Sequence, residues 1–260
     1  MGVSSSLCSK YPSWKELLTH LLAQLPNPNP TIKYAIALGD FTHAATLLSG
    51  VSDNTKQLIA DYFSKLDTNL DQKYQMAFFL KKLFKSWKSL SIITTNYDNL
   101  LQTVLTSEGK VQSWDWTSED FSADAFSQTG IANVFHIHGT EGVADLIVFD
   151  YADYNRVRQH VKTQKFVQGW MQCSTFVFIG CGSTLQDANF GPLLRWGDSL
   201  IHVISFPHYL IGSWSDISQK ALVLRDGNYL SIVRPIPYEE ACVQIDIAKL
   251  PSFLSDVFRI

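Results

Sequence analysis

Apolar residues at three- and four-residue spacing dominate the first third of the chain. Trp14, Leu17, Leu18, Leu21, Leu22 and Leu25 predict a helix over 14–25. Ser13 stands before it as an N-cap, and Glu16 completes a capping box. Pro26, Pro28 and Pro30 are expected to break the chain next. From 31 to 88 every apolar pattern is helical, with helices predicted over 41–48, 55–66 and 72–87. This zone is expected to form a small all-helical lobe.

The texture changes at residue 90. Short β-rich runs at 90–94, 133–138, 146–149, 175–179, 200–205 and 230–233 alternate with helical stretches at 97–105, 151–170, 187–196, 216–225 and 247–258. The segment 110–129, rich in Ser, Asp and Gln, is expected to be a long loop. Strands alternating with helices imply an α/β fold, with a Rossmann-like, mainly parallel sheet covered by helices on both faces. The expected division is a core of 1–30 and 89–260 with a helical lobe of 31–88.

Composition narrows the function classes. The 260 residues are 46% hydrophobic and 17% charged, enough for a substantial core. The net charge is -3 and no run of Lys or Arg stands out, so direct nucleic-acid binding is not expected. Cys8, Cys173, Cys181 and Cys242 are scattered without a CxxC pair, which argues against structural zinc and against a secreted disulfide framework. Residues 1–10 lack the apolar core of a signal peptide, and no apolar run approaches a membrane span. A cytoplasmic location is the expectation.

Three β-runs end in unusual polar residues. The first leads into Thr94-Thr95-Asn96-Tyr97-Asp98, the second ends at His138-Gly139, and the third runs into Gly180-Cys181-Gly182-Ser183 and on toward Asp187. Open parallel sheets bind ligands at the carboxyl ends of their strands, so parallel strands would bring all three ends to one edge. Each piece also has a plain structural reading. Asn96 fits an N-cap of a helix starting at Tyr97, with Asp98 favouring its first turn. His138 fits a satisfied core histidine. His136, placed on the same side of its strand by period-two alternation, is read as structural. Gly180 and Gly182 fit a turn, and Asp187 fits a helix cap.

Taken together, "TTNYD", "HIHG" and "GCGSTLQDANF" resemble the sirtuin-like domains of bacterial anti-phage defence proteins. The opening "GVSSSLCSKYPSWKELL" resembles the segment after the first glycine loop in those domains, with Pro12, Trp14 and Leu17 at a helix start. "FDYADYNRV", residues 149–157, resembles the stretch after the histidine motif. The resemblance implies an NAD-binding Rossmann-type fold and cleavage of the nicotinamide–ribose bond of NAD+. The zinc-binding cysteines of deacylating sirtuins are missing here, which shifts the expectation from deacylation to NAD+ hydrolysis without zinc. The implied catalytic residues are Asn96, His138 and Asp98. The implied dinucleotide contacts are Gly2, Ser4, Thr95, Gly180, Gly182, Ser183 and Asp187. A homo-oligomer or a larger defence assembly is the implied partner.

The residue types suit that chemistry. An amide offers both a donor and an acceptor for a ribose hydroxyl or a water. An imidazole is the natural general base near neutrality. Where the family has a buried strand before its glycine loop, Met1-Gly2-Val3-Ser4 stands at the loop's end. The expectation is therefore a fragment or a misplaced start, the alternative being true loss of that strand. Other readings of the whole chain are a sensor that binds NAD+ or ADP-ribose without turnover, a deacylase or ADP-ribosyl transferase, and a purely structural α/β domain.

Overall fold

A computed structural model describes residues 11–66, 75–87, 89–120, 128–179, 208–213 and 233–238. Helix α1 (Trp14–Ala23) forms as the spacing predicts. Ser13 Oγ accepts from the Glu16 amide at 3.1 Å, the Glu16 carboxylate accepts from the Ser13 amide at 2.5 Å, and Leu17, Leu18, Leu21 and Leu22 are buried. Pro30 does not break the chain. It is the first residue of α2 (Pro30–Leu38), where a missing N–H costs no hydrogen bond, and Asn29 caps the helix by accepting from the Thr31 amide. Gly39 ends α2 at φ +78°. Three more helices come next, α3 (Phe41–Val51), α4 (Thr55–Ser64) and α5 (Gln75–Trp87). Helix α1 packs against α2, α3 and α4.

Strand β1 (Ser89–Thr94) leads to α6 (Leu100–Thr106), β2 (Lys110–Asp115) and β3 (Ile131–His136). A 3-10 turn, Ala144–Leu146, precedes α7 (Tyr151–Gln159), α8 (Val161–Cys173), β4 (Val177–Ile179), β5 (His208–Ser213) and β6 (Val233–Tyr238). The described strands form two three-stranded sheets, ordered β1-β3-β2 and β4-β5-β6, and every pairing is parallel.

Side-chain parity joins the two sheets into one layer. Leu90, Ile92, Ala132, Val134, Val177, Ile179 and Ile211 pack into one apolar cluster together with residues of α1 to α6. Ile93, Phe135, Phe178, Leu210 and Val233 turn to the other cluster, with Tyr154 and Val157 of α7 and Val167 and Met171 of α8. Strand residues alternate between faces, so both sheets present the same two faces and helices cover each. The fold is Rossmann-like α/β, as the sequence predicts.

Several local expectations are corrected. Residues 110–115 are not loop but strand β2, pairing with β3 from Lys110↔Ile131 to Asp115↔His136. The run 146–149 is not a strand. Ile147, Val148 and Phe149 are fully buried, but their backbone bonds go to other partners: the Val148 amide to the His138 carbonyl, and the Phe149 amide to Asp153. The helix expected over 151–170 is two helices, broken where extended His160 meets Thr163 Oγ1 at 2.8 Å and packs edge-on to Trp116. Strand β5 is additional to the predicted runs, and of the run 230–233 only Val233, the first residue of β6, is described. The runs at 187–196, 200–205, 216–225 and 247–258 lie outside the described residues. Among the described residues, no helix is long and apolar enough to cross a membrane.

Candidate functional site

The pairing of β1 with β3 fixes the geometry. Thr94 stands opposite His136 in parallel register, and the Ile137 amide donates to the Thr94 carbonyl at 3.1 Å. Asn96 and His138 each lie two residues past that last rung. They therefore emerge at the same carboxyl edge from neighbouring strands, where open parallel sheets bind ligands.

On the β1 side the chain turns sharply. The Asn96 amide donates to Thr94 Oγ1 at 3.1 Å. Asn96 does not cap the next helix: α6 starts at Leu100, whose amide donates to Asp98 Oδ1 at 3.1 Å. Asp98 is thus a buried carboxylate that holds the turn into α6, whose N-cap position is Asn99, and Asn96 has no capping role. The side-chain nitrogen of Asn96 is buried and makes no hydrogen bond among the described residues. A buried amide costs free energy unless it finds a partner, so the partner of this nitrogen lies outside the described residues. Thr95 is half-buried beside it.

On the β3 side the strand stops at His136, so period-two alternation does not extend to His138. His136 meets Gln102 of α6, whereas the ring of His138 packs edge-on to Tyr154 of α7 at 5.1 Å. The expected shared side is corrected accordingly. Both histidines are buried. The turn requires Gly139, which sits at φ +80° where a Cβ would stand 2.1 Å from the Leu146 carbonyl oxygen. The segment 146–148 braces both halves: Val148 donates its amide to His138 and accepts at its carbonyl from the Tyr97 hydroxyl at 2.7 Å. Trp14 and Phe63 pack edge-on against Tyr97, so Trp14 is a packing residue.

A polar network lies beneath the edge. Asn99 donates to Glu141 Oε1 at 2.9 Å, and the Glu141 amide donates to the Tyr97 carbonyl at 2.8 Å. Burial raises the Glu141 carboxyl above its ordinary range. The Asn99 hydrogen bond opposes that shift, and the nearby charge of Asp98 adds to it. Burial also holds the His136 ring below its ordinary range, against its bond to the Asn96 carbonyl and the charge of Asp115. Sequence reasoning missed Asn99, Gln102 and Glu141. The one signal available was the three-residue spacing of Asn99 and Gln102, which shares a helix face.

Asp153, from the segment 149–157, is buried. It forms ion pairs with Lys56 of α4 and with Arg156, and accepts from the Phe149 amide at 3.0 Å. It closes a capping box with Asp150 at the start of α7.

Of the other predicted contacts, Gly180, Gly182, Ser183 and Asp187 come after the end of β4, outside the described residues, as do Gly2 and Ser4 at the start of the chain. Among the described residues, no group of three or more His, Cys, Asp and Glu side chains could hold a metal ion.

A parallel sheet covered by helices on both faces places the chain in the Rossmann-like α/β class, whose members bind ligands at the carboxyl ends of their strands. The model of the SIR2-like domain matches residues 90–232, more than half of the chain. The chain belongs to the SIR2-like domain family. Domains of this family bind NAD+, and membership is consistent with an NAD-dependent enzyme.

Proposed function

We propose that the protein hydrolyses NAD+ to nicotinamide and ADP-ribose. The observation that carries the reading is the buried side-chain nitrogen of Asn96, unbonded among the described residues, at the same sheet edge as His138. Family membership supplies the substrate class.

The bond to break joins ribose C1 to the nicotinamide nitrogen. Both electrons leave with nicotinamide, which departs neutral, and positive charge spreads over C1 and the ring oxygen. Water then adds to C1 and gives up a proton. Asn96 would hold a ribose hydroxyl or the water through its free N–H. His138 would take the proton, and Asp98 would favour the transient positive charge from the turn that leads into α6. Thr95, Gly180, Gly182, Ser183 and Asp187, with Gly2 and Ser4, are the proposed ribose and diphosphate contacts. We assign the dinucleotide-binding core to 1–30 and 89–260 and the helical lobe to 31–88.

The resemblance of the strand-end motifs to bacterial defence domains supports a cellular role in depleting NAD+ during phage infection, in the cytoplasm and within a homo-oligomer or larger assembly. The test is to incubate the protein with NAD+ and measure nicotinamide and ADP-ribose, alongside Asn96→Ala and His138→Ala. Release by wild type and near-complete loss in both variants is the expected result. Binding without release would point to a sensor. Release only with an acylated peptide would point to a deacylase.

A further inference from the structure

We propose that His136 is a positioning residue for this reaction: its Nδ1–H holds the backbone carbonyl of Asn96, and Gln102 fixes the ring that does so. The inference rests on the NAD+-cleavage reading and adds a residue to it. His136 Nδ1 lies 3.0 Å from the Asn96 carbonyl oxygen, and its Nε2 lies 2.5 Å from Gln102 Nε2.

The partners dictate the tautomer. A carbonyl oxygen only accepts, so Nδ1 must carry the proton. An amide nitrogen only donates, so Nε2 must accept. With one N–H given to His136, Gln102 has a single N–H left for Asn99 Oδ1 at 3.1 Å or Ser113 Oγ at 3.0 Å, and either bond anchors it. Asn99 in turn reaches Glu141 across the turn just after His138. One chain of contacts therefore runs from the loop after His138, through α6, to the peptide of Asn96. Its effect is to set the height of Asn96 relative to His138, the two groups that must face one substrate. The strand ladder cannot do this, because its last rung is at Thr94 and His136.

Two substitutions separate positioning from bulk stability. In His136→Asn the side-chain nitrogen falls near the place of Nδ1 and keeps the bond to the Asn96 carbonyl. In His136→Gln it falls near the place of Nε2 and loses that bond. The measurements are kcat and KM for nicotinamide release, the melting temperature, and the nitrogen-15 resonances of the His136 ring in the wild type.

The expected result is a kcat loss of about 100-fold in His136→Gln and about tenfold in His136→Asn, with KM little changed, since small misplacements of a reacting group cost on this order. The ring should be protonated at Nδ1 alone. Equal kcat in the two variants, a loss that tracks melting temperature only, or a ring protonated at Nε2 would overturn the inference. If the wild type releases no nicotinamide, the NAD+-cleavage reading falls instead, and the ring resonances still decide whether the imidazole makes the contact assigned to it.

Discussion

The helical layer of α1 to α4 and the polar edge beyond β1 and β3 are both buried, yet they are held by different forces. In the helical layer, Leu17, Leu18, Leu21, Ile32, Leu48 and Ile59 are almost fully enclosed by other apolar side chains. Such contacts are non-directional, and a lost methyl group costs stability in proportion to the space it leaves. At the polar edge, Thr94, Asp98, His136 and His138 are also buried, but hydrogen bonds fix where the first three stand, and a backbone bond from Val148 holds His138. The contrast teaches that burial alone does not identify a site. A core tolerates shape change at the cost of stability, whereas a polar edge loses geometry first.

That contrast can be broken by mutation, and the largest effect is on activity. Asn96→Ala and His138→Ala should each lower nicotinamide release by at least about 100-fold with little change in melting temperature. Leu18→Ala should do the reverse, costing about 3 kcal/mol in urea unfolding while kcat stays at the wild-type value. Activity retained in Asn96→Ala would remove the distinction between the two regions.

Gly139→Ala should cost about 3 kcal/mol and also lower kcat, because the added methyl meets the Leu146 backbone and the turn carries His138. Asp153→Ala should cost a similar amount, about 3 kcal/mol, by leaving Lys56 and the Phe149 amide without their partner. Lys56→Ala should cost less, about 1 kcal/mol, since that side chain is partly exposed and Arg156 remains. Both are read from denaturant midpoints.

The remaining effects lie in the pH dependence of stability, the smallest of them at Glu141. Burial lowers the His136 ring below its ordinary value and pushes the His208 ring down to about 4. The unfolded chain then binds protons that the fold refuses. For His208 the stabilisation is complete above pH 6.5 and is lost as the pH falls toward 4, and His136 contributes with the same sign. Glu141 has the opposite sign. Its carboxyl is raised above 4.5, so its contribution is complete below that pH and is lost as the pH rises through the raised value. Glu141→Gln should therefore raise stability at neutral pH by about a few tenths of a kcal/mol after solvent screening, with no gain at pH 4. A uniform change across the pH range would show that burial of the charge is not the cause.

Local signals were legible and long-range ones were not. Ser13 with Glu16 reads as a capping box because both partners lie within one turn. Strand β2 escaped notice because its side chains are only half-covered, so Lys110, Gln112 and Asp115 interrupt any apolar pattern. Residues 146–149 misled in the other direction: they are as apolar as a strand, but a buried segment bonded to His138, Tyr97 and Asp153 has no ladder, and periodicity cannot tell the two apart.

The helical pattern of the first third, the α/β alternation and the polar strand ends were determined by the sequence, since each depends on residues near one another in the chain. Tertiary structure alone decided that Asn96 caps no helix, that His136 and His138 meet different helices, and that Gln102, Asn99 and Glu141 tie the two strand ends together. The physical reason is that a buried polar group must be satisfied by whatever donor or acceptor the fold brings to it. Residues 40 positions apart carry no mutual periodicity to announce that they will meet.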